Sequence, residues 1–277
     1  MYMRRLNRDI TKSQSSSDIG ILVSITFLIT IAMLLSIIVV PQSAYSHANP
    51  TSYSPQSKSV VGQNGRLPDM VGIVYSERPE PKAGYIRVTN SDNQRVDKND
   101  YRIDANNPSE ASVSLDTSKL KPGIYTVSWL ALSRDDGHIT KGSYVFTISS
   151  GSNRKAPEIK TATSNNFTNS AIIDNVNVTS MISPFYSGIN NNFSVSLSDS
   201  DGNAPTNVNK VIMIFNNKQA GLGPISAELT KVGEGQYSES GGYLSQPGEW
   251  EVKIVVQRTD AYDLNHGFDF NVQNAPG

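Results

Sequence analysis

Beyond residue 47 the apolar residues recur at every second position, and no long stretch repeats at the helical period. From Ile124 to Leu132, Tyr125, Val127, Trp129 and Ala131 fall on one face of an extended chain. Tyr144, Phe146 and Ile148 do the same in the segment Gly142 to Ile148. Shorter strands are predicted over residues 69–76, Tyr85–Val88 and Ala111–Leu115. Further on, Phe193, Val195 and Leu197 alternate with serines. Val208–Phe215 is a more continuous apolar strand. Trp250, Val252, Ile254 and Val256 alternate with polar residues, and Phe268, Phe270 and Val272 close the series. A chain patterned in this way buries one face of each strand and packs sheet on sheet. Trp129, its aromatic partners and Met213 read as core.

Residues 149–175 lose this alternation and are rich in Ser, Asn, Thr and Lys, so a linker is expected over 150–175. It divides a first β domain (47–149) from a second (176–277). Leu120-Lys121-Pro122-Gly123-Ile124-Tyr125 suits the tyrosine corner of a Greek-key sandwich, or a plain Pro-Gly turn before a strand. Pro247-Gly248-Glu249-Trp250 repeats the pattern 125 residues later. The expected fold is all-β: two tandem immunoglobulin-like Greek-key β-sandwiches behind an N-terminal segment.

That segment, residues 1–46, is a targeting signal. Arg4, Arg5, Arg8 and Lys12 precede an apolar run over residues 19–40, long enough to cross a hydrocarbon core of about 30 Å. Ala44 and Ser46 are small residues two apart, as signal peptidase requires. Two readings stand: a signal peptide cut after Ser46, or an uncleaved membrane anchor through 19–40. In both, the remainder lies outside the cytoplasm, because the positive flank stays inside. A cut after Ser46 makes His47 the first residue.

Composition narrows the chemistry. Cysteine is absent, which removes disulfides, thiolate zinc sites, iron–sulfur clusters and thiol nucleophiles. The formal charge of −1 supplies no basic excess for nucleic acid. No Gly-x-Ser-x-Gly elbow or His-Glu-x-x-His occurs, and Gly233-Glu234-Gly235 reads as a turn. No catalytic residue is assigned, and no enzyme is expected. Asn166, Asn177 and Asn192 begin glycosylation sequons. The three histidines are His47, His138 and His266. His266 reads as a surface or strand-edge residue. His138 lies in the hairpin Ser133-Arg134-Asp135-Asp136-Gly137-His138, where Asp-Gly alone signals a turn. Asp136 and His138 flank one glycine and can bend toward a common point. An N-terminal His47 adds two nitrogens, its α-amine and ring Nδ1. Three nitrogens and one oxygen suit a tetragonal ion, the preference of Cu(II).

Residues 47–148 resemble the copper-resistance protein C family, CopC. The matching features run in order: a signal segment ending just before His47, then Ser54-Pro55, then Tyr75-Ser76-Glu77. Leu120 to Trp129 follows as Leu-x-Pro-Gly-x-Tyr-Thr-Val-x-Trp, then Ser133 to His138 and Gly142-Ser143-Tyr144-Val145-Phe146. The hairpin carries one Asp more than the family pattern. The resemblance implies an extracytoplasmic Cu(II)-binding sandwich with metal ligands His47, Asp136 and His138. Asp135 is an alternative to Asp136, but the spacing and the family pattern favour Asp136. Some family members hold Cu(I) at a methionine-rich stretch; here Met70 is the only methionine of the first domain, so Cu(II) alone is expected. The second domain resembles, less specifically, YtkA-like sandwiches through Ser183-Pro184, Gly188-Ile189-Asn190, Gly235-Gln236-Tyr237 and Pro247-Gly248-Glu249-Trp250. Sequestration, delivery or resistance is the function implied, with any membrane copper importer a separate protein. Two alternatives stand beside it: a membrane-anchored structural or adhesion protein, and a histidine-brace copper monooxygenase.

Overall fold

The structure, a computed structural model, describes residues 47–149 and 165–276. The expected signal or anchor, its cleavage point and residues 150–164 of the expected linker lie outside the described residues. Among the described residues no helix is long and apolar enough to cross a membrane. The described chain is almost entirely β, as the alternation requires.

The first sandwich comprises β1 (Pro50–Ser54), β2 (Val60–Val61), β3 (Met70–Tyr75), β4 (Tyr85–Thr89), β5 (Arg102–Ile103), β6 (Glu110–Ser114), β7 (Gly123–Leu132) and β8 (Ile139–Ile148). They form two four-stranded sheets, in the orders β1-β3-β6-β5 and β2-β8-β7-β4. Tyr125, Val127, Trp129, Ala131, Tyr144, Phe146 and Ile148 all enter the core between them, opposite Val71, Ile73, Ala111 and Val113. The turn before β7 is a tyrosine corner. The Tyr125 hydroxyl donates to the Lys121 carbonyl (2.7 Å) and accepts from the Lys121 N–H (2.8 Å).

The second sandwich comprises β9 (Phe167–Ile173), β10 (Val176–Ser183), β11 (Asn191–Ser198), β12 (Val208–Asn217), β13 (Leu222–Gly233), β14 (Gln236–Gly241), β15 (Gly248–Arg258) and β16 (Leu264–Val272). Hydrogen bonds join them in one ladder, β16-β15-β12-β13-β14-β11-β10-β9. It folds over because β13 serves both layers: Leu222–Leu229 pairs with β12, and Thr230–Gly233 with β14. The two ends of the ladder meet through side chains, Phe167 stacking on Phe268 at 5.7 Å. Trp250 Nε1 donates to the Gln246 carbonyl (3.0 Å), four residues back, as Tyr125 does to Lys121. The repeated Pro-Gly motif thus makes the same kind of corner twice. Strand β9 falls inside the stretch expected as linker. Its residues alternate, but Asn169, Ser170 and the exposed Ile172 gave no apolar stripe.

The two sandwiches share a seam on the outer face of β7 and β8. Ile124 and Val145 are buried in the second core rather than the first. Thr126 Oγ1 donates to Ser245 Oγ (2.6 Å), both fully buried. Gln246 Nε2 donates to Thr89 Oγ1 (3.0 Å), and Ser143 Oγ accepts from the Gly223 N–H (3.0 Å). Lys58 pairs with Glu239 at 2.8 Å. Gly242 is required by close approach: a Cβ there would stand 2.3 Å from Ile124 Cδ1. Strand β7 is therefore covered on both faces, and its hairpin end projects beyond the seam.

Candidate metal centre

The β7–β8 hairpin is organised by Ser133. Its N–H donates to the His138 carbonyl (2.8 Å), and its carbonyl accepts from the Gly137 N–H (3.0 Å). Its hydroxyl accepts from the N–H groups of Asp135 and Asp136, both at 3.2 Å, and donates to Glu77 Oε2 (2.5 Å). Gly137 takes φ +76°, a conformation that glycine adopts without a Cβ penalty. That reversal carries His138 back over Asp136, whose Oδ1 accepts the His138 N–H at 2.9 Å. The other oxygen, Oδ2, faces two imidazoles. It lies 3.0 Å from His138 Nδ1 and 3.2 Å from His47 Nδ1.

His47 comes from 89 residues earlier and is held by its backbone. Its carbonyl accepts from the Ser76 hydroxyl (2.7 Å) and from the Asn49 N–H (2.7 Å). Ala48 is fully buried, and its carbonyl accepts from Thr140 Oγ1 (2.6 Å). The Tyr75-Ser76-Glu77 stretch thus ties the two halves together: Ser76 fixes His47, and Glu77 fixes the hairpin through Ser133. Arg78, the next residue, pairs with Asp135. Its guanidinium holds the Asp135 carboxyl below the usual carboxylate range. That pairing engages Asp135 away from the imidazoles, where Asp136 sits.

The site is open. The His47 and His138 side chains are 47% and 61% exposed, while Asp136 beneath them is 19% exposed. Among the described residues these three form the one group of metal-binding type, with a ligand atom from each within 4.8 Å of the others. Two donors each about 2.0–2.1 Å from a shared ion, at right angles, stand roughly 2.9 Å apart. The carboxylate-to-imidazole separations match that spacing. All three residues named from the sequence come together. His266 does not join them; it lies in the second sandwich, Nε2 2.5 Å from Asn169 Oδ1. Ser76, Glu77, Arg78, Ser133 and Thr140 were not singled out as site residues. Ser76, Glu77 and Ser133 were visible only as parts of family motifs, with nothing to show that they bond to one another.

Two imidazoles and a carboxylate gathered at one open end of a β-sandwich make a group of donors that could hold a metal ion. The CopC domain family matches residues 51–149, and the chain belongs to that family through its first sandwich. Over 118 residues it is 30% identical to protein YobA of Escherichia coli (strain K12), covering 43% of this chain and 90% of YobA. Over 121 residues it is 32% identical to copper transport protein CutJ of Bacillus subtilis (strain 168), covering 43% of this chain but only 21% of CutJ. The chain therefore spans about a fifth of the length of that relative. Among solved structures, CopC from Methylosinus trichosporium OB3b aligns at 26% identity with a TM-score of 0.34, covering 40% of this chain and 100% of its own. The second sandwich lies outside the family match.

Proposed function

We propose that this protein binds Cu(II) outside the cytoplasm and sequesters it or hands it on, with His47, Asp136 and His138 as ligands. The observation that carries the reading is the convergence of both Nδ1 atoms on Asp136 Oδ2, at 3.0 and 3.2 Å. Family membership supports copper as the cargo, as does the name of the relative CutJ. Imidazole nitrogen and carboxylate oxygen are borderline-to-hard donors, and copper heads the affinity order of divalent first-row ions. A soft Cu(I) site has little to draw on. Met213 is buried in the second core, Met181 lies on β10, and Met70 Sδ is 3.4 Å from the Arg102 guanidinium. Processing after Ser46 adds the His47 α-amine as a fourth donor beside its Nδ1. No residue is assigned a catalytic role.

Cu(II) titration of the exported protein tests the reading. One ion per chain is expected, with binding lost in His138→Ala and kept in His266→Ala. Equal binding by wild type and His138→Ala overturns it. Bound metal must displace protons from ligands, and a free α-amine titrates at about 7.7–8.0, so affinity falls as pH drops below neutrality.

A further inference from the structure

The metal centre leaves the three glycosylation sequons unused, and the fold brings them together. Each overlies a strand, so its residues alternate between the core and the outside. The sequons are Asn166-Phe167-Thr168 at β9, Asn177-Val178-Thr179 in β10 and Asn192-Phe193-Ser194 in β11. In each the middle residue turns inward: Phe167 packs on the second core, and Val178 and Phe193 are buried in it. The asparagine and the hydroxyl residue two positions on therefore share the outer face, and Asn166, Asn177 and Asn192 are all exposed. The first sandwich holds two further triplets, Asn49-Pro50-Thr51 and Asn107-Pro108-Ser109, but a central proline disqualifies both.

The three strands are neighbours in the layer β14-β11-β10-β9. The Ser183 hydroxyl donates to Asn166 Oδ1 (2.7 Å), and Ser183 pairs in turn with Asn192. Asn166 and Asn192 thus stand two strand spacings apart, about 10 Å. Asn177 pairs with Ser198, six residues along β11 from Asn192, or about 20 Å. Asn192 Oδ1 accepts from the hydroxyls of Ser238 and Ser240 (2.9 and 3.3 Å). In Asn166 and Asn192 the amide oxygen is therefore engaged, whereas Nδ2, the atom that glycosylation modifies, donates to no protein group among the described residues. The face around them is uncharged. Its outward positions are Ser, Thr, Asn and Gln, with the exposed Ile172 and Met181. On the opposite layer β15 alone turns Glu249, Glu251 and Lys253 outward. A strand face without charge lacks what keeps exposed surfaces apart, and attached sugar is bulky and solubilising.

We propose that Asn166, Asn177 and Asn192 are N-glycosylated, so that sugar covers one face of the second sandwich and leaves the metal-site hairpin of the first bare. The donor is a lipid-linked oligosaccharide of the exporting membrane. Asparagine Nδ2 bonds to the sugar C1, the bond from C1 to the lipid phosphate oxygen breaks with its electron pair leaving on the phosphate, and the amide proton passes to solvent. This rests on the extracytoplasmic part of the proposed function and not on copper.

The test is peptide mapping by mass spectrometry of the chain from its own cells, with cell fractionation alongside. Sugar-mass additions localised to the three asparagines are expected. Asn166→Gln, Asn177→Gln and Asn192→Gln should each lose one addition. Thr179→Ala keeps Asn177 and removes the hydroxyl two residues on, and should lose the addition at Asn177. An exported chain with fewer than two modified asparagines overturns the proposal and leaves the extracytoplasmic reading standing. A sugar mass undiminished in the triple glutamine variant also overturns it, by assigning the sugar to Ser and Thr hydroxyls. A chain retained in the cytoplasm overturns both the proposal and the extracytoplasmic reading.

Discussion

Asp135 carries the same carboxylate as Asp136, one residue earlier, yet its oxygens go to the Arg78 guanidinium while Asp136 Oδ2 meets both imidazoles. Asp136→Ala is therefore expected to abolish tight Cu(II) binding in a titration. Asp135→Ala should change affinity less than the roughly 10–100-fold typical of positioning partners. Ser76→Ala and Ser133→Ala should fall within that range. The first removes one of the two donors to the His47 carbonyl, and the second releases two hairpin N–H groups and Glu77. The Arg78–Asp135 pair also sets a pH limit. The folded pKa of Asp135 is depressed, chiefly by its hydrogen bond to Arg78. Its stabilising effect is thus complete above the ordinary unfolded value of about 3.9 and is lost as pH falls through the lower folded value. Carboxyl NMR titration should place Asp135 below that ordinary value and show it rising in Arg78→Ala.

At the scale of elements, the two Pro-Gly corners join a sequence motif to a specific bond. Tyr125→Phe removes the hydroxyl that both donates to and accepts from Lys121, and should cost about 1–2 kcal/mol in denaturant unfolding while leaving Cu(II) stoichiometry at one. Strands β7, β8, β11 and β15 were legible in the sequence because their large apolar residues alternate toward a core, which imposes a period of two. Strand β9 was not, because Asn169 interrupts the inward stripe of Phe167, Ala171 and Ile173, and its place is set by pairing with β10. The outer face of β7 was equally silent. Nothing in the sequence marks Ile124 and Thr126 as buried on that face, and the facing Gly242 and Ser245 explain it. In the site, His47, Asp136 and His138 were legible as residue types able to share an ion. The brace of Ser76, Glu77 and Ser133 depends on contacts more than 25 residues apart in sequence, which spacing does not reveal.

At the scale of the whole molecule, contacts from Lys58–Glu239 to Thr126–Ser245 join the two sandwiches across the seam. Calorimetry should show a single unfolding transition for residues 47–277. Gly242→Val should destabilise that transition by about 1–3 kcal/mol through overpacking against Ile124. Cu(II) at about 100 times its Kd should raise the same transition by about 2.7 kcal/mol, although the three proposed ligands all lie in the first sandwich. The central claim is that two imidazoles and Asp136 hold one copper ion. Its most direct test is electron paramagnetic resonance of Cu(II) bound to the chain beginning at His47, with ring-15N histidine incorporated. Superhyperfine coupling from two histidine rings, reduced to one in His138→Ala, is the expected result. A spectrum without histidine coupling, or one unchanged by His138→Ala, would contradict the account.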